Sequence, residues 1–88
     1  MDSNQENAMI ILKAMVEGSR RRGNGDVIRK ITDLGCDDVN NAIPCLEKMH
    51  LVKALPSVNK VLYDFFYVTL EPEGYQYYHE NFGKIESI

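Results

Sequence analysis

The sequence predicts a mainly α fold that carries one β-hairpin (α+β), in the order helix, helix, helix, strand, strand, helix. Three observations lead there. Apolar residues recur at helical spacing in three segments before residue 50. A run rich in aromatic and β-branched residues, Val61–Leu70 (VLYDFFYVTL), follows a turn-rich tip, Pro56-Ser57-Val58-Asn59-Lys60. Glu71-Pro72 then opens a last helix, because proline suits the first helical position, where its missing N–H removes no bond.

The first helix is expected from Asn7 to Glu17, with residues 1–6 frayed or disordered. Ala8, Ile11, Leu12 and Met15 form its buried stripe, while Met9, Ile10 and Val16 add apolar surface outside it. Gly18 is the expected stop, and Ser19–Gly25 (SRRRGNG) reads as a loop. The second helix is expected from Asp26, as its cap, to Leu34, with a tight turn at Gly35. The third is expected from Asp38 to Met49, with Asp37 or Asp38 capping it and Val39, Ala42, Ile43, Leu46 and Met49 on one face. Pro44 conflicts with a helix interior by about 3 kcal/mol, so the helix either starts late, near Asn40, or bends. Leu51–Leu55 and Val61–Leu70 should pair as an antiparallel hairpin. Alternation along the second strand assigns Phe66, Val68 and Leu70 to the core and Tyr63, Phe65, Tyr67 and Thr69 to the other face. The last helix runs to about Phe82.

Eighty-eight residues at 44% hydrophobic and 26% charged fit one globular domain, taken as residues 1–88. The apolar run Ala8–Val16 is broken by Lys13 and is too short to span a bilayer; Asp2 and Glu6 do not suit a secretory signal. A cytoplasmic protein without a membrane role is the expectation, with Cys36 and Cys45 as reduced thiols. Cys36, Cys45, His50 and His79 lack the close paired spacing of structural zinc sites, so no metal is expected. There is no glycine-rich phosphate loop, nucleophile elbow or paired-histidine motif, which argues against an enzyme and for no cofactor. His50 is read as a packed or half-exposed side chain.

Net charge is −3, yet residues 13–30 hold six cations against two carboxylates, whereas residues 31–88 hold four lysines against nine acids. A local basic segment matters more for attracting phosphate than the total does.

The second and third helices, joined by Gly35-Cys36-Asp37, resemble a helix-turn-helix, and a hairpin directly after them resembles the wing of a winged helix-turn-helix. Asn41–Val52 (NAIPCLEKMHLV) looks like a recognition helix passing into a first wing strand, and PadR-type regulators carry a proline at the place of Pro44. Phe66–Tyr78 (FYVTLEPEGYQYY) is similar to the end of the wing and the start of the last helix in such regulators. Glu71 stands where they usually have serine or threonine, and the Leu70-x-x-x-Gly74 pattern is kept. The opening Ala8–Gly18 (AMIILKAMVEG) resembles the small YjcQ-like winged-helix proteins of bacteria and phages.

This resemblance implies a DNA-binding transcriptional regulator. The third helix would enter the major groove with Asn40 and Asn41 toward base edges and Lys48 toward a phosphate. Arg20, Arg21, Arg22, Arg29 and Lys30 would hold the backbone, and Asn59 and Lys60 would touch DNA from the wing tip. Asp37 and Asp38 oppose this, since they would face a polyanion. The alternative is a winged-helix protein-interaction or dimerisation module without DNA binding. All five tyrosines and all three phenylalanines lie after residue 62, which together with the apolar first helix leads us to expect a two-fold homodimer built from the first and last helices. A ligand pocket lined by these aromatics is the rival use.

Overall fold

Ala8, Ile11, Leu12 and Met15 are fully buried, as their spacing demands. In the computed structural model, which describes residues 3–58 and 62–82, they form the inner face of α1 (Ser3–Glu17). The helix begins four residues earlier than expected, because nothing between Ser3 and Asn7 breaks it and Glu6 lies near its positive end. Chain reversal after α1 falls on Ser19 (φ 57°), the left-handed residue, and not on Gly18.

The following segment is not all loop. Arg22–Gly23 form a two-residue strand, β1, antiparallel to a later strand, with Arg22 opposite Thr69 and Gly23 opposite Val68. Asn24, and not Asp26, then caps α2 (Gly25–Thr32): its side-chain oxygen accepts the Val27 N–H at 2.9 Å. Asp33, left-handed at φ 62°, ends α2.

The third helix, α3 (Cys36–Lys48), starts earlier than expected, with Gly35 in an extended conformation at the cap position. Asp37 and Asp38 are therefore first-turn residues and not caps, and they still face the positive helix end. Pro44 lies well inside α3, which excludes the late start near Asn40. Burial of Val39, Ala42, Ile43 and Leu46 on both sides of the proline offsets its helical penalty.

The hairpin consists of β2 (Val52–Pro56) and β3 (Phe65–Leu70), and the antiparallel sheet has the order β1-β3-β2. Leu55 pairs with Tyr67 but Pro56 pairs with Phe65, so one residue, Phe66, is extra on β3. This bulge corrects the expected alternation. Below it Val68 and Leu70 face inward as anticipated; above it Phe65, 5% exposed, takes the core position and Phe66 is 63% exposed. The last helix, α4 (Pro72–Phe82), has the predicted boundaries.

The result is a mixed α+β unit in which α1 packs against α2, α3 and α4, and the inner sheet face adds Val52, Phe65, Val68 and Leu70 to one core. Among the described residues, no helix is long and apolar enough to cross a membrane.

Candidate nucleic-acid interface

Once the core stripe of α3 is turned inward, helical geometry sets Asp37, Asn41, Pro44 and Lys48 on the opposite side, and all are exposed. Asn41 and Lys48 are thus turned away from the core. The helix as a whole carries Asp37, Asp38 and Glu47 against Lys48.

Asn40 has a different position. Its Nδ2 donates to the Leu62 carbonyl at 2.9 Å, and its Oδ1 accepts the Asp64 N–H at 2.9 Å. Both ends of the amide are engaged with the chain leading into β3, so the side chain that sequence assigned to a base edge ties the hairpin to α3. We expect Asn40→Ala to lower stability by about 1–2 kcal/mol, the net worth of two such bonds, and to speed hydrogen exchange at the Asp64 amide while α1 amides change only with global stability. Unchanged protection at Asp64 would count against the clamp.

A second set of contacts joins α2, the turn and the hairpin. Arg29 donates from Nε to the Leu34 carbonyl at 3.3 Å and from a terminal nitrogen to Cys36 Sγ at 3.2 Å. The Tyr63 hydroxyl donates to Asp26 Oδ1 at 3.2 Å and lies 3.8 Å from Cys36 Sγ. The Tyr63 ring covers Gly25 so closely that a Cβ there would overlap it. Partial removal from water raises the Tyr63 phenol above its ordinary pKa. Lys30 is exposed beside Arg29, in a groove that Asp26 and Asp33 also line.

The arginine run lies elsewhere. Arg22 stacks its guanidinium 4.5 Å from the centre of the Tyr67 ring and donates from Nε to Thr69 Oγ1 at 3.3 Å, on the outer sheet face. Arg20 and Arg21 are exposed, and the Arg21 carbonyl accepts the Leu70 N–H at 2.7 Å. Asn40 is anchored near Asp64 and Arg21 at Leu70, which places them about 20 Å apart along β3 at roughly 3.3 Å per residue. The structure therefore places Arg20, Arg21 and Arg22 toward the far end of β3 from the segment that Asn40 holds, while Arg29 and Lys30 lie beside the start of α3. Asn59 and Lys60 lie outside the described residues.

Comparison with protein-family models, curated proteins and solved structures finds no match to this chain.

The apolar surplus also has a different distribution from the one sequence implied. Met9, Val16, Tyr75, Tyr77 and Phe82 pack against the chain's own core, and the Tyr78 hydroxyl donates to Glu17 Oε2 at 2.8 Å, joining α4 to α1. Ile10 is the large apolar residue that α1 leaves exposed. The hairpin region instead exposes Leu55, Val58, Leu62 and Phe66. Sequence reasoning missed the exposure of Phe66 because the bulge that turns it outward depends on strand pairing. Cys36 and Cys45 are both half-buried thiols, and among the described residues no group of three potential metal ligands is gathered.

Proposed function

We propose that this chain is a small winged-helix regulator of the cytoplasm that binds duplex DNA through α3. The observation that carries the reading is the exposed α3 stripe of Asn41, Pro44 and Lys48, beside a hairpin held against the same helix by Asn40. A short strand between the first two helices, completing a β1-β3-β2 sheet, supports the winged-helix assignment. In this reading Asn41 faces a base edge and Lys48 a phosphate, Lys30 reaches flanking backbone, and Arg20 and Arg21 lie too far along the sheet to join the same groove contact. Pairing of two copies through α1 and α4, with Ile10 at the contact, belongs to the same proposal.

Asp37 and Asp38 make the binding weak, and the contacts of Lys48 and Lys30 with phosphates make it salt-dependent. Mobility shift with random duplex DNA at low salt should show binding that falls steeply as salt rises. Lys48→Ala should weaken it on every sequence and lower the salt slope by about one. Replacing Asp37 and Asp38 together by asparagine should tighten it several-fold, by removal of repulsion at the leading end of α3. Absence of any shift at low salt would sink the reading.

A second reading, a protein-interaction module without DNA binding, is favoured by one observation: the carboxylates of α3 adjoin a hairpin that exposes Leu55, Val58, Leu62 and Phe66. In that case the Asp37 and Asp38 replacements leave DNA unbound, and light scattering or partner binding responds to changes in the hairpin.

A further inference from the structure

We infer that the outer face of the sheet is a second binding surface, built for single-stranded DNA. It lies on the side of the hairpin away from the core and does not depend on the α3 proposal. The β3 bulge puts Phe66 and Tyr67 on the same side, with ring centres 5.5 Å apart and planes tilted by 47°. Arg22 lies across the Tyr67 ring, held there by the bond from its Nε to Thr69 Oγ1. Its guanidinium is thus a flat, oriented cation that remains exposed. Across the sheet Lys53 pairs with Thr69 and Leu55 with Tyr67, and a groove of about 430 Å³ runs over Arg22, Lys53, Leu55, Tyr67, Thr69 and Glu71.

The chemistry of this face selects its occupant. An exposed aromatic ring and a planar guanidinium offer stacking surfaces to unpaired bases of any sequence. Arg22 and Lys53 line the groove with Tyr67, Phe66 stands against the Tyr67 ring, Arg20 and Arg21 lead into β1, and these cations attract phosphates. Glu71 is the acid in the groove, and Glu47 and Glu73 lie beyond it, lining with Glu71 the neighbouring groove that Lys53 also lines. An apolar protein surface laid here would strip water from two cations without pairing them. A single strand neutralises them and supplies rings to stack. Duplex DNA keeps its bases inside and cannot use Phe66.

The test is fluorescence anisotropy with a labelled 12-nucleotide dT strand, the same length of rU, and a random duplex, at low salt. The full chain should bind the dT strand more tightly than the duplex and no more weakly than rU, with quenching of its tyrosine fluorescence. Phe66→Ala should weaken the dT complex roughly tenfold, the usual effect of one lost stacking partner. Lys53→Glu should weaken it comparably and flatten its salt dependence. Both side chains are exposed, so thermal midpoints should not move. Asn41→Ala and Lys48→Ala should leave this complex unchanged, which separates it from the duplex contact assigned to α3. No binding of the dT strand, binding indifferent to Phe66→Ala and Lys53→Glu, at least tenfold preference for rU, or self-association abolished by Phe66→Ala in place of nucleic-acid binding would each overturn the inference.

Discussion

Phe65→Ala should destabilise the domain by about 3 kcal/mol, whereas Phe66→Ala, one residue along, should change stability by less than about 0.5 kcal/mol. The two side chains have the same chemistry and differ in which side of β3 they occupy. Phe65 fills the core beside Val68 and Leu70 and stands 5.7 Å from the Tyr63 ring, centre to centre; Phe66 faces water. Truncating the first leaves a cavity in a small core that has few other residues to close it. Urea unfolding reads the difference directly, since the midpoint should fall for Phe65→Ala and stay in place for Phe66→Ala at unchanged slope. A larger loss for Phe66→Ala than for Phe65→Ala would mean that β3 alternates without a bulge and that its pairing with Pro56 is wrong.

The second large effect should come from Gly74→Ala, with a loss of about 2–3 kcal/mol. In an open helix this change is stabilising by about 1 kcal/mol, because alanine loses less backbone freedom than glycine. Here the sign reverses. Gly74 is buried in the first turn of α4, and a Cβ on it would overlap the Leu51 carbonyl oxygen. That oxygen accepts the Glu71 N–H at 3.0 Å, and the Gly74 N–H is itself bonded to the Glu71 carbonyl at 2.8 Å. Relief of the overlap therefore requires α4 to move off the start of β2, breaking the bonds that dock it. A shift of the urea midpoint to higher concentration would show that α4 has room there. The close approach also explains the Leu70-x-x-x-Gly74 pattern: Leu70 closes the strand into the core, and Gly74 lets the helix turn back over the strand before it.

Much of the fold could be read from residue order. The stripe Ala8, Ile11, Leu12 and Met15, the corresponding α3 stripe, and Pro72 at the first position of α4 are local signals, and each matched its element. Other features carried no local signal. A two-residue strand inside an arginine-rich segment has no period to detect, and β1 exists because β3 offers Arg22 and Gly23 an edge to pair with. Helix starts also differed from the expected ones. Asn24 caps α2 through a local bond to the Val27 N–H and Gly35 precedes α3, leaving Asp26, Asp37 and Asp38 in first turns.

The candidate site divides in the same way. Exposure of Asn41 and Lys48 follows from their spacing opposite the core residues of α3. The work of Asn40 does not, since its partners, Leu62 and Asp64, are more than twenty residues away in sequence. Nor could order along the chain reveal that Arg22 rests on Tyr67, or that Arg20 and Arg21 lie at the opposite end of β3 from the chain segment that Asn40 holds.

Local order in this chain was enough to establish four helices, a hairpin and the inward stripes of α1 and α3, because periodicity is a property of neighbouring residues. Pairing across long sequence separations settled the rest: the bulge that exchanges Phe65 for Phe66, the strand at Arg22, and the partition of basic residues between α3 and the outer sheet. A single extra residue in β3 reverses every side chain beyond it, and only the partner strand shows where that residue falls.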